Sequence, residues 1–105
     1  MRFVETPVFT HQITEMLTHD EYRNLQEALL RRPEQGAVIK DTGGVRKLRW
    51  AEQGRGKRGG LRIMYHWNPA REMFLMLYAY RKSEQKDLTP TQHKALAGLV
   101  RQEFR

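Results

Sequence analysis

At 105 residues the chain has room for one small hydrophobic core and not for two domains, so residues 1–105 are expected to form a single unit. It has no cysteine, which excludes disulfides and thiolate metal sites, and no apolar run near the ~20 residues of a membrane-spanning helix. Nineteen Lys and Arg against twelve Asp and Glu leave a net charge of +7, which favours an acidic partner: nucleic acid, an anionic surface or an acidic protein.

The first residues, M-R-F-V-E-T-P, lack the apolar stretch of a signal peptide, so a cytoplasmic protein without membrane contact is expected. Arg2 to Glu5 reads as a short strand. Thr6-Pro7 fits a helix start with proline in the first turn, and Phe9, Ile13, Met16 and Leu17 follow at helical spacing. Thr18 and Glu21 form a capping-box pattern. It should open a second helix, from about His19 to about Arg32, that buries Tyr22, Leu25, Ala28 and Leu29; Pro33 and Gly36 end it. The two make a helical hairpin. Ala37 to Lys40 reads as a short extended piece and Thr42-Gly43-Gly44 as a turn. Strands from about Val45 and Leu61 follow, then a turn at 68–71. Glu72 to Tyr80 is apolar on both faces, as an inner strand would be. Thr89-Pro90-Thr91-Gln92 repeats the helix-start pattern, and the last helix should bury Leu96, Leu99, Val100 and Phe104. The expectation is an α+β domain: an N-terminal helical hairpin on a small, mostly antiparallel sheet, closed by a C-terminal helix.

The positive charge is concentrated. Between Lys40 and Arg62 there are eight cations and two acids, a net +6 of the chain's +7. Alternation along V-R-K-L-R-W-A turns Arg46, Leu48 and Trp50 one way and Val45, Lys47 and Arg49 the other. In the next run Leu61, Ile63, Tyr65 and Trp67 share the core face, and Arg62, Met64 and His66 the opposite one. An antiparallel pairing across the intervening loop would bring Lys47, Arg49 and Arg62 together on one side of the sheet. Their mutual repulsion would favour an anion bound between them. Arg81 and Lys82 end the next strand and add to the set.

Gly54-Arg55-Gly56-Lys57-Arg58-Gly59 matches G-x-G-x-x-G in letters, but the pattern needs a helix after it and a strand follows. It reads as a connection whose Arg55, Lys57 and Arg58 wrap phosphates with little sequence preference. His11, His19, His66 and His93 show no metal-ligand spacing, and no metal or other cofactor is expected. His66 alone shares parity with Arg62 and is a candidate for RNA contact or acid–base chemistry. The only serine, Ser83, sits in no nucleophile motif.

Three stretches carry a resemblance: G-G-V-R-K-L-R-W from Gly43, G-K-R-G-G-L-R-I-M-Y from Gly56, and Y-R-K-S-E-Q-K-D-L-T from Tyr80. Over nearly its whole length the chain resembles the RelE/HigB toxins of bacterial toxin–antitoxin pairs. The resemblance implies an endoribonuclease (mRNA interferase) that cuts mRNA in the A site of the 70S ribosome, inhibits translation, and is held inactive by a cognate antitoxin. It places Lys47, Arg49, Arg62, Arg81 and Lys82 among the catalytic groups, with Arg46, Arg55, Lys57, Arg58 and His66 toward RNA or ribosome. Some relatives carry a tyrosine shortly after the last basic pair; here that region reads K-D-L. The chemistry needs no metal, because RNA supplies its own nucleophile in the 2′-hydroxyl. Arg62 would stabilise the transition-state phosphate, Arg81 or Lys82 would assist, and Lys47 or Arg49 would orient the linkage, Lys47 being also a candidate base. Two other readings stand beside this one: a ParE-like inhibitor of DNA gyrase, and a nucleic-acid-binding module without turnover.

Overall fold

The structure, a computed structural model, describes residues 1–51 and 60–103. Each helix begins where a side chain satisfies the free amides of its first turn. Thr6 accepts from the Phe9 amide at 3.0 Å and opens α1 (Pro7–Met16), with proline in the first turn. Thr18 and Glu21 exchange side-chain bonds with each other's amides, at 3.1 and 2.9 Å, and open α2 (His19–Arg31). Thr89 and Gln92 do the same at 3.1 and 2.9 Å before α3 (Pro90–Glu103).

Five strands form one mixed sheet in the order β1 (Arg2–Glu5), β5 (Met73–Arg81), β4 (Leu61–Asn68), β3 (Arg46–Trp50), β2 (Ala37–Val38). β1 runs parallel to β5 and every other pairing is antiparallel. The expected α+β order of helical hairpin, mostly antiparallel sheet and terminal helix is therefore the observed one.

The hairpin and α3 cover opposite faces of the sheet. On the hairpin face Phe9, Ile13, Leu17, Leu25 and Leu29 pack on Leu48, Leu61, Ile63, Tyr65, Phe74 and Met76. On the other, Leu96 and Val100 of α3 join Val45, Met64, Leu75, Leu77 and Tyr80. Leu99 corrects the expected helix face: it is 36% exposed, and Ala97 is buried instead. Phe104 lies outside the described residues.

One irregularity decides what the α3 face carries. Met64 pairs with Tyr78 but the next residue, Tyr65, pairs with Met76, so Leu77 is the extra residue of a β-bulge. Leu77 and Tyr78 consequently lie toward the same cluster, and strict alternation resumes beyond them. The bulge thereby turns Tyr78 and Tyr80 toward the face of Arg62; without it they would face the hairpin.

Candidate active site

The site is built on the α3 face, at the end of the sheet where β3 finishes and β4 begins. Arg49 stands directly opposite Arg62, Lys47 opposite Met64, and Tyr80 opposite Arg62 on its other flank. Lys47, Arg49 and Arg62 thus share one face on adjacent strands. Directly paired residues hold their Cβ atoms roughly 5 Å apart, a spacing at which like charges repel.

Arg62 is the unusual member. It is only 9% exposed. Among the described residues its guanidinium makes one hydrogen bond, from Nη1 to the Leu61 carbonyl at 3.2 Å, and no ion pair. Buried charge is costly unless paired, and the nearest residue across β3 is another cation. Lys47, half-buried, has its Nζ 3.8 Å from Oδ1 of Asp87, an exposed residue in the turn before α3. Asp87 was not legible as part of the site from the sequence. Its carboxylate also accepts the Leu88 amide at 2.8 Å, and its charge reaches Tyr80.

Tyr80 is 4% exposed, and its hydroxyl has no hydrogen-bond partner among the described residues. Burial, reinforced by the charge of Asp87, raises its pKa above the ordinary tyrosine value, against an opposing effect of Arg62. The phenol therefore keeps its proton at neutral pH and is a hydrogen-bond donor. Its neighbour Tyr78, at a ring distance of 6.1 Å, accepts from Gln92 of α3 at 3.3 Å.

Of the remaining sequence-predicted residues that the structure describes, Lys82 shares the parity of Tyr80 and the others lie elsewhere. Arg81 pairs with Leu61, on the alternate parity from Tyr80, and its Nη1 is 3.6 Å from Oε1 of Glu84. The ladder continues one step further, the Lys82 amide donating to the Gly60 carbonyl at 3.1 Å, so Lys82 returns to the parity of Tyr80. Arg46 is on the hairpin face opposite Tyr65, where Nη1 donates to the carbonyls of Glu34 and Gly36 at 3.0 and 2.8 Å. It clamps the link between α2 and β2. His66 is four residues along β4 from Arg62, roughly 13 Å away at strand rise. Its Nδ1 lies 2.9 Å from the Gly44 carbonyl, and its ring approaches so closely that a Cβ at Gly44 (φ +104°) would sit 2.9 Å from Cε1. An open cleft of about 740 Å³ runs from His66 and Gly43 along the last turns of α3, and it does not include Arg62. Arg55, Lys57 and Arg58 lie outside the described residues, and the element after them is β4, a strand.

Among the described residues no group of three or more His, Asp and Glu side chains could hold a metal ion, and no helix is long and apolar enough to cross a membrane. What the arrangement offers is anion chemistry: cations on one face, one of them buried without a counter-ion among the described residues, and a buried neutral hydrogen-bond donor paired across from it. A protein-family model described as the RelE toxin of the RelE/RelB toxin–antitoxin system matches residues 1–104. The chain therefore belongs to the RelE toxin family: it is a toxin of a toxin–antitoxin system, with an antitoxin as partner.

Proposed function

We propose that this toxin is a ribosome-dependent endoribonuclease that cuts mRNA in the A site and so stops translation in the cytoplasm. The observation that carries the reading is Arg62: a buried guanidinium without a carboxylate partner among the described residues, set opposite Arg49 on one flank and Tyr80 on the other. A phosphodiester placed there supplies the missing counter-charge. Its first step is a transesterification that needs no nucleophile from outside the RNA: the 2′-oxygen attacks the adjacent phosphorus as its proton passes to Lys47 in its neutral form, the bond to the 5′-oxygen breaks as that oxygen takes a proton from Lys82, and a 2′,3′-cyclic phosphate and a 5′-hydroxyl result. No metal takes part. Arg62 stabilises the charge that accumulates on the phosphorane, Arg49 orients the phosphate, Lys47 takes the 2′-hydroxyl proton, and Lys82 assists from the end of β5. The antitoxin, on this reading, meets the same basic face with acidic side chains.

The test is incubation of the protein with programmed ribosomes and mapping of mRNA ends. Cleavage within the A-site codon is expected, and Arg62→Ala should reduce it by roughly 100-fold or more while leaving the circular dichroism spectrum unchanged. Intact mRNA with wild-type protein, or full activity of Arg62→Ala, would sink the reading. DNA damage without mRNA cleavage would point to gyrase instead.

A further inference from the structure

Among the described residues, the Tyr80 hydroxyl on the α3 face is a buried polar group without a hydrogen-bond partner. By contrast the hydroxyl of Tyr65, a buried residue of β4, donates to the Pro33 carbonyl at 2.7 Å and accepts from the Gly36 amide at 3.0 Å. That of Tyr80 is sealed from solvent and unpartnered among the described residues. Buried hydroxyls without partners are rare because folding strips them of water and returns nothing. Where one sits beside a buried, uncompensated cation, a single anionic ligand satisfies both.

The surroundings agree. Tyr80 is paired across the sheet with Arg62 and is turned to that face by the bulge at Leu77. The Asp87 carboxylate lies within electrostatic reach of the phenol and 3.8 Å from Lys47 Nζ, so the position beside these groups already holds negative charge. Asp87 is exposed, and an exposed ion pair is weak enough for a phosphate to replace. We propose that Tyr80 is a further substrate-contacting residue of the toxin: when the scissile phosphate displaces the Asp87 carboxylate from the cation cluster, the Tyr80 hydroxyl donates a hydrogen bond to a non-bridging phosphate oxygen alongside Arg62. The inference rests on the nuclease reading for its substrate, and on the buried hydroxyl for its geometry. The phenol forms no bond and gives up no proton; it binds charge that grows in the transition state, which is where a preorganised donor has most effect.

The test is Tyr80→Phe in the full chain, which removes one oxygen and keeps the ring. In the ribosome assay kcat should fall roughly 100-fold with KM moving no more than about threefold, because the ribosome supplies most of the substrate's binding. Thermal unfolding should occur at the wild-type temperature or above it, since a hydroxyl without a partner contributes nothing to the fold. Wild-type kcat, or a loss of activity accompanied by a lower melting temperature, would overturn the proposal. A second arm separates it from the reading it rests on: titration of the free proteins with a trinucleotide that is 2′-deoxy at the central residue and cannot be cut. Tyr80→Phe should bind it about tenfold more weakly, roughly one hydrogen bond to charge. Equal affinity would refute the contact even if the wild-type protein cuts mRNA. If the wild-type protein cuts nothing, the nuclease reading fails alone and this titration still decides the contact.

Discussion

The two faces of the sheet bury tyrosines in opposite ways. On the hairpin side the Tyr22 hydroxyl donates to Glu5 Oε2 at 2.5 Å, and the other oxygen of that carboxylate accepts from Thr10 at 2.6 Å. The Tyr65 hydroxyl has two partners as well. On the α3 side Tyr80 has none among the described residues, and the guanidinium beside it has only the carbonyl of its own neighbour. β4 carries a group of each kind, Tyr65 toward the hairpin and Arg62 toward the other face. One face therefore satisfies its buried hydroxyls within the fold, while on the other a buried hydroxyl and a buried guanidinium have few or no partners among the described residues. Uncompensated groups of this kind lower stability and raise function.

The comparison is broken most severely from the hairpin side. Phe74 is fully buried, stacked on Phe3 at 4.7 Å and packed against Trp67 at 4.4 Å and Tyr65 at 6.1 Å. Phe74→Ala should cost about 3–5 kcal/mol by denaturant titration, a large share of the roughly 5–15 kcal/mol that holds a domain of this size. Arg62→Ala should do the reverse. Its effect on cleavage, roughly 100- to 1,000-fold, should come with unchanged or increased stability, because it removes a buried cation that repels Arg49. A large loss of stability in Arg62→Ala would mean that the α3 face is as self-sufficient as the hairpin face.

Tyr22 tests the hairpin side at intermediate strength. Burial, with the bond to and charge of Glu5, raises its pKa well above the ordinary value of 10.0. The folded protein therefore keeps this proton at pH values where the unfolded chain releases it. The native state binds more protons above about pH 10, so stability is flat below that value and falls above it, by at most about 1.4 kcal/mol per pH unit for each such group. Tyr22→Phe should cost about 1.5–3 kcal/mol at neutral pH and make the alkaline decline shallower. Equal slopes for the two proteins would exclude Tyr22 as its source; Tyr65 and Tyr80, also raised by burial, account for what remains.

How much of this was legible in the sequence follows from the range of the interactions. The three helix starts at Thr6, Thr18 and Thr89 are made within four residues, and the pattern locates each one. The shared face of Lys47, Arg49 and Arg62 follows from alternation plus one antiparallel pairing. The bulge at Leu77 leaves no trace in a segment that is apolar on both faces, so the turning of Tyr80 toward Arg62 could not be read. The approach of Asp87 to Lys47 joins residues far apart in the chain and depends on how the turn before α3 folds back. Alternation already set Arg46 apart from Lys47 and Arg49, yet its basic character kept it among the expected RNA contacts; that the carbonyls of Glu34 and Gly36 hold it on the hairpin face depends on the fold of a distant link. A cation's type names its charge; only register tells whether that charge is committed.

The smallest expected effect probes the join between the two kinds of surface. Asp87 is the one carboxylate that the described residues bring to the cation cluster by an ion pair, and that pair with Lys47 is exposed and 3.8 Å long. Exposed pairs contribute about 0.2–1 kcal/mol, and Asp87→Asn keeps an oxygen able to accept the Leu88 amide. Stability should therefore change by less than about 1 kcal/mol. Affinity for the uncleavable trinucleotide should nonetheless rise severalfold, with a steeper dependence on salt, because one more cation is left to the phosphate. The opposite result, weaker binding at equal stability, would mean that Asp87 contacts the RNA itself rather than holding its place.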